Sequence, residues 1–294
     1  MSNKNWELIQ KGKVRDIYAD TDGEYIALVA SDRVSAFDHI LPVEIEDKGK
    51  VLTAMSAFWF KKLWEIWPGI STAFITADNK EMDPFFQKPE FEGRTTIMKR
   101  LKMLPVEAIV RGYITGSLWK DYQKGAREFC GLELPDSLQN CSELYPRPLF
   151  TPTTKAPAGQ HDENISFAEM VSIFEKEEYE ESSTLAIDIR HFSIELYKSA
   201  LEYAKDHGII LADTKLEFGI DKDGLLCVGD ELFTPDSSRF WPLDDYQAGR
   251  EQQSMDKQII RDFIKSHESL TEIPAEILEK TKAQYEKCLR MLTA

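Results

Sequence analysis

The sequence predicts an α+β fold of two lobes with a cleft between them, and three observations lead there. Strand and turn signals alternate through residues 6–30, a helical period over 187–207 runs straight into a strand and hairpin, and no βαβ repeat intervenes. Residues 6–10, 14–18 and 25–30 read as a meander turning at Lys11-Gly12 and Asp22-Gly23. Residues 53–67 carry aromatics and leucines at helical spacing and stop at Pro68-Gly69, which predicts a core-packed helix. Residues 95–103 and 106–113 read as strands parted by Pro105, and Thr115-Gly116-Ser117 leads into a helix from Leu118.

Residues 133–163 form a long, proline-containing stretch with little periodicity, expected as a functional or mobile loop. The acidic run 175–181 reads as a solvated helix face. Gly208 is placed to cap the helix at 187–207, a strand at 209–212 follows, and the chain turns at Asp221-Lys222-Asp223-Gly224. Helical segments follow Ser254, one of them opened by Pro274.

With 294 residues, 42% of them hydrophobic, the chain has material for a substantial core in one large domain or two intimate lobes. A net charge of -15, with no run rich in lysine or arginine, argues against a nucleic-acid partner but leaves room for small anions held by a few convergent cations. Cys130, Cys141, Cys227 and Cys288 are widely spaced, as reduced thiols rather than a zinc site or disulfide framework. Residues 1–10 lack the pattern of a signal peptide, and no apolar run is long enough for a bilayer, so the expected location is cytoplasmic with no membrane partner.

Around the hairpin, a symmetric turn at 221–224 would set Lys215 opposite Asp230 and Glu217 opposite Val228. Lys215, Glu217 and Asp230 then share one face, and Leu216, Phe218, Ile220, Leu225 and Cys227 form the apolar one. Glu217 and Asp230 become diagonal neighbours about 7 Å apart, close enough to grip Mg²⁺ beside a nucleotide. A surface hairpin with an incidental Lys-Asp pair fits the same spacing.

Lys11-Gly12-Lys13-Val14-Arg15 at the tip of the first hairpin would bring backbone and a lysine point charge to phosphate, although an ordinary basic turn reads the same. Arg111 and Ser117 flank a glycine-containing turn into a helix, and Arg239 follows a turn of hydroxyls and Asp236. Surface salt bridges are the alternative for each arginine.

Five dispersed stretches occur in the right order and spacing: KGKVRDIY from Lys11, SDRVSAFDHILP from Ser31, KRLKMLPVEAIVRGYITGS from Lys99, ADTKLEFG from Ala212 and GDELFTPDSSRFW from Gly229. Together they resemble the SAICAR synthetase family, and FTPTTKAPAGQHDENIS from Phe150 resembles its longer, yeast-type form. The resemblance implies a two-lobed fold related to protein kinases, with residues 1–104 an ATP-binding lobe and 105–294 a substrate- and metal-binding lobe carrying the C-terminal helices. It implies an ATP- and Mg²⁺-dependent ligase of purine biosynthesis. The substrates would be L-aspartate and CAIR, a phosphoribosyl aminoimidazole carboxylate, and the chain would act as a monomer.

Carried over by motif, Lys11, Gly12 and Lys13 would cover the ATP phosphates, the backbone from Leu101 to Met103 would hold adenine, and Glu217 and Asp230 would bind Mg²⁺. Glu107, Arg111, Ser117, Asp236 and Arg239 would hold CAIR, with Lys215 and Asp213 at the reaction centre. Ser35, Asp38, Lys48 and His161 are candidates for aspartate. The rival expectations are a small-molecule kinase, which needs a hydroxyl acceptor, and a non-catalytic nucleotide-binding module.

Overall fold

The structure, a computed structural model, describes residues 4–37, 39–144, 146–156, 161–267 and 272–294. Its elements begin β1 (Trp6–Lys11), β2 (Arg15–Asp20), β3 (Tyr25–Ala30), β4 (Arg33–Ala36), β5 (His39–Glu44), α1 (Lys48–Ile66), β6 (Phe74–Thr76), β7 (Thr95–Lys99), β8 (Lys102–Met103), β9 (Val106–Arg111) and α2 (Gly116–Gln123). They continue β10 (Glu128–Phe129), β11 (Leu132–Glu133), β12 (Leu149–Phe150), β13 (Thr153–Thr154), α3 (Phe167–Lys176), α4 (Ser182–Asp206), β14 (Ile209–Ile220), β15 (Leu226–Gly229), β16 (Ser238–Pro242), α5 (Gln258–His267) and α6 (Ala275–Thr293).

Two compact units result: Met1–Met103, Gly219–Ser237 and Ser254–Ala294 in the first, Leu104–Phe218 and Ser238–Gln253 in the second. Residues 105–294, expected as one C-terminal region, therefore contribute to both. The reason is that β14 leaves the second unit after Phe218, and its last residues pair with β8 as Gly219↔Met103 and Ile220↔Lys102.

In the first unit the expected meander forms an antiparallel sheet of order β1-β2-β3-β7-β6. Its apolar face buries Trp6, Ala27, Val29 and Ile97 against Phe86 and Phe91, with Trp6 edge-on to Phe86. Helix α1 starts at Lys48, five residues before the predicted Thr53, because Asp32 accepts the Gly49 amide at 3.0 Å and Lys48 finds a buried anion. Val51 and Leu52 of α1 pack on Tyr285 of α6, and β4–β5 packs on Ile260 and Ile264 of α5.

In the second unit β14 lies between β9 and β16, and β12 and β13 pair with β9. The stretch expected as a structureless loop at 133–163 thus supplies two short strands, each satisfying backbone groups of β9. The acidic run 175–181 is not a helix face: α3 ends at Lys176, α4 begins at Ser182, and Glu178 and Glu181 turn the chain with positive φ of 56° and 49°. Gly208 follows α4 with φ 74°, the left-handed cap the sequence predicts.

The hairpin differs from expectation by one residue. Asp221 N–H donates to Leu225 O at 3.0 Å and Gly224 N–H to Asp221 O at 3.1 Å, with Gly224 at φ 82°. This is a three-residue loop closed by a left-handed glycine, not a symmetric four-residue turn. The shift leaves Leu225 52% exposed instead of on the apolar face. Asp230 lies beyond the end of β15 at φ 55°, so strand alternation does not aim its side chain.

Candidate active site

Odd-numbered residues of β9 and β14 share one face of the second unit's sheet, with Arg111 paired to Asp213 and Ile109 to Lys215. The even-numbered Ala108, Val110, Thr214 and Leu216 are fully buried on the other face. Packing therefore fixes which side presents the polar residues. Two polar groups follow along it.

The first centres on Asp213, which pairs across to Arg111 on one edge and Arg239 on the other. Its carboxylate accepts from Arg111 Nη1 at 3.4 Å and from the Arg239 guanidinium. Arg111 also donates to Thr151 Oγ1 at 3.0 Å and Ser117 Oγ at 3.4 Å. Burial lowers the Arg111 pKa while Asp213 opposes that shift, and a guanidinium remains cationic under such conditions. Two cations against one carboxylate leave net positive charge, and the amides of the first turn of α2 begin beside it, where the Thr115 side chain makes no cap. The arrangement suits a phosphate monoester.

Gly116, at φ 61°, lets the backbone pass the Arg239 guanidinium, which an added Cβ would strike. Gly116→Ala is expected to cost about 1–2 kcal/mol of stability from the left-handed conformation alone. It should also weaken phosphate-ligand binding more than nucleotide binding, measurable by denaturation and calorimetry.

The second group lies two and four residues further along β14. Lys215 Nζ donates to Glu107 Oε1 at 2.7 Å and Glu217 Oε1 at 2.6 Å; Lys155 Nζ pairs with the other Glu217 oxygen. Thr153 Oγ1 donates to Glu107 Oε2 at 3.3 Å. Burial raises the Glu107 pKa, with Lys215 pulling the other way. Burial would raise Glu217 too, but Lys215 and Lys155 outweigh it and hold the carboxyl well below the usual range.

In the first unit, Gly12 N–H closes the β1–β2 turn on Arg15 O at 2.8 Å, and Arg33 donates to the carbonyls of Gly12 at 3.0 Å and Lys13 at 3.2 Å. Arg15 Nη2 pairs with Asp230 at 2.9 Å and Glu231 at 3.2 Å. Those three residues line a cavity with Thr53, Ser56, Leu28 and Met98. Leu101 and Met103 stand beside Gly229, whose missing Cβ would lie 3.1 Å from Leu101 Cδ1 and 3.6 Å from Met103 Sδ. Lys48 and Asp236 form a buried pair at 2.8 Å, and Tyr285 Oη donates to Asp236 at 3.0 Å. Desolvation pushes the half-buried Lys257 down to about 8 against the opposing pull of Asp236.

Of the sequence-predicted residues, the second unit thus gathers Arg111, Ser117, Asp213 and Arg239 in one group and Glu107, Lys215 and Glu217 in the next. Lys48, expected for aspartate, and Asp236, expected for CAIR, neutralise each other in the first unit. Ser35 lies in β4 opposite Ile40, His161 is exposed, and Asp38 falls outside the described residues. The sequence named Arg15 only as part of the basic turn and gave it no partner, and it did not single out Glu231, Thr151, Lys155 or Lys257. Arg15, Glu231, Thr151 and Lys155 lie within the stretches KGKVRDIY, GDELFTPDSSRFW and FTPTTKAPAGQHDENIS, but only the folded chain shows which groups they meet.

Glu217 of the second unit offers hard carboxylate oxygens and stays ionised, which suits a divalent cation such as Mg²⁺, and Asp230 of the first unit is paired with Arg15 at 2.9 Å. Among the described residues no group of three or more His, Cys, Asp or Glu is placed to hold a metal alone. Mg²⁺ carried on nucleotide phosphates needs only one or two protein carboxylates. No helix among the described residues is long and apolar enough to cross a membrane.

A family model described as SAICAR synthetase matches residues 8–277. A phosphoribosylaminoimidazole-succinocarboxamide synthase of Lachnospira eligens is 46% identical over 288 residues, covering 98% of this chain and 95% of the relative. The SAICAR-synthase from Saccharomyces cerevisiae, solved in complex with SAICAR, superposes with TM-score 0.84 at 37% identity, over 98% of this chain and 95% of that one. A SAICAR synthetase solved with ADP superposes with TM-score 0.70 at 25% identity, over 98% of this chain and 97% of that one.

Proposed function

Because the chain belongs to the SAICAR synthetase family, we propose that it joins CAIR to L-aspartate, forming SAICAR while ATP becomes ADP and phosphate. The observation that carries this reading is the order of groups along β14: an arginine pair around Asp213 suits the ribosyl phosphate of CAIR, and the Glu107–Lys215–Glu217 group follows for its carboxylate end. The ligands in the solved relatives, SAICAR in one and ADP in another, are products of this same reaction and support the reading.

A carboxylate resists attack by an amine until one oxygen becomes part of a leaving group. In the proposed route a CAIR carboxylate oxygen attacks the γ-phosphorus of ATP, the bond to ADP breaks, and an acyl phosphate forms. The aspartate amine then attacks the acyl carbon and inorganic phosphate departs. Lys215 would offset charge on the transferred phosphoryl group, while Arg111, Ser117 and Arg239 hold the ribosyl phosphate. Glu217 and Asp230 would hold Mg²⁺, which supplies charge neutralisation on the phosphates when bound. Lys11, Gly12 and Lys13 would lie over those phosphates, and Leu101 to Met103 beside adenine, making the first unit the nucleotide-binding one.

The test is ADP release with CAIR, with and without aspartate. Turnover requiring both is expected, whereas phosphorylated product without aspartate indicates a kinase and overturns the proposal. Lys13→Ala is expected to raise KM for ATP, lower kcat, or both, by about tenfold in kcat/KM. Wild-type constants would return Lys13 to an ordinary surface turn.

A further inference from the structure

The pairing of β14 with β16 breaks at one point: Leu211 faces Phe240, Asp213 faces Arg239, and Ala212 is the extra residue between. A one-residue difference in register decides which face a strand's side chains take. This bulge therefore sets the face of Asp213, Lys215 and Glu217 together.

Its carbonyls are held from two sides. Ala212 O accepts from Gly112 N–H at 3.0 Å and Tyr113 N–H at 3.2 Å. From α4, the buried Tyr197 Oη donates to Leu211 O at 2.6 Å and lies 3.2 Å from Ala212 O. Tyr197 reaches this position because residue 112 is glycine: a Cβ there would overlap the phenol oxygen and stand 2.8 Å from Cζ. Gly112 directly follows Arg111, so one close approach ties the helix to the end of β9, which carries Arg111, and to β14, which carries Asp213. Burial raises the phenol pKa well above its ordinary value, keeping the donor protonated at any working pH.

We propose that Tyr197 is a positioning residue for the ligation: its hydroxyl locks the Leu211-Ala212 bulge and so holds the adjacent Asp213 between Arg111 and Arg239. The proposal rests on the functional reading above. Without the hydroxyl, the bulge loses its side-chain donor and Asp213 its fixed aim, while nucleotide residues of the first unit are untouched.

Tyr197→Phe keeps the ring and its packing. The expected result is about a tenfold fall in kcat/KM for CAIR, with KM for ATP changed less than about twofold, at temperatures where the variant is fully folded. CAIR binding by calorimetry should weaken in parallel, and Gly112→Ala, pressing on the hydroxyl from the other side, should show the same CAIR-selective loss. A purely structural tyrosine would lower Tm and leave both CAIR constants at wild-type values, and that outcome overturns the proposal. A wild-type chain that makes no SAICAR would instead refute the functional reading, so the two failures are distinguishable.

Discussion

Glu217→Gln is expected to lower kcat by about a hundredfold or more with the fold intact, since it replaces a hard anionic ligand with a neutral amide of equal size. The carboxylate also separates two lysines, Lys215 at 2.6 Å and Lys155 on its other oxygen. The amide cannot neutralise either, so Lys215 is left with Glu107 as its anionic partner among those bonds. The folded-state pKa of Glu217 is depressed, so its ionised form stabilises the fold above the ordinary carboxylate range. That contribution is lost only as pH falls through the folded value, below that range. Acid titration of stability should therefore show wild type and Glu217→Gln converging at low pH and diverging toward neutrality. Parallel curves, together with unchanged Mg²⁺ dependence of turnover, would remove Glu217 from the metal-binding role; Asp230→Asn tests its proposed partner by the same turnover assay.

Arg111→Ala is the second large effect. Arg111 is 4% exposed and donates to Thr151, Ser117 and Asp213, so truncation opens a hole and removes a counter-charge from buried Asp213. A loss of about 3 kcal/mol in stability is expected, partly limited because Arg239 still pairs with Asp213. CAIR affinity should fall by tenfold to roughly a hundredfold, as for loss of charge-assisted hydrogen bonds, with ATP affinity changed far less. Arg239→Ala should give a similar loss of affinity at a smaller stability cost, because its side chain is 19% exposed against 5% for Arg111. Arg111→Lys keeps the charge but cannot reach three acceptors in one plane, so it should recover stability better than affinity. Calorimetry that finds ATP binding lost and CAIR binding normal means the two phosphate sites have been exchanged.

What the sequence made legible was set by local physics. The meander follows from glycine-containing turns between apolar strands, and the cap at Gly208 from a residue free to adopt φ 74°. Alternation correctly grouped Lys215 with Glu217 because two residues of one regular strand share a face. It failed for Asp230, because counting across a hairpin needs the loop length, and the left-handed glycine that makes it three residues carries no separate signal at the level of composition. The same limit hid the strands at Leu149–Phe150 and Thr153–Thr154: a two-residue strand is defined by its partner β9, not by periodicity. Lys155 was not singled out, and Arg15 was given no partner, because what distinguishes them is the anion each meets in the folded chain. The pairing of Lys48 with Asp236 is likewise a long-range event that neither neighbourhood announces.

The most direct test of the proposed ligation follows oxygen rather than rate. With both CAIR carboxylate oxygens labelled as oxygen-18, aspartate-dependent turnover should deliver one labelled oxygen per released inorganic phosphate, the other remaining in the SAICAR amide. Mass analysis of the phosphate decides it. Unlabelled phosphate alongside normal SAICAR formation contradicts transfer through a carboxyl phosphate.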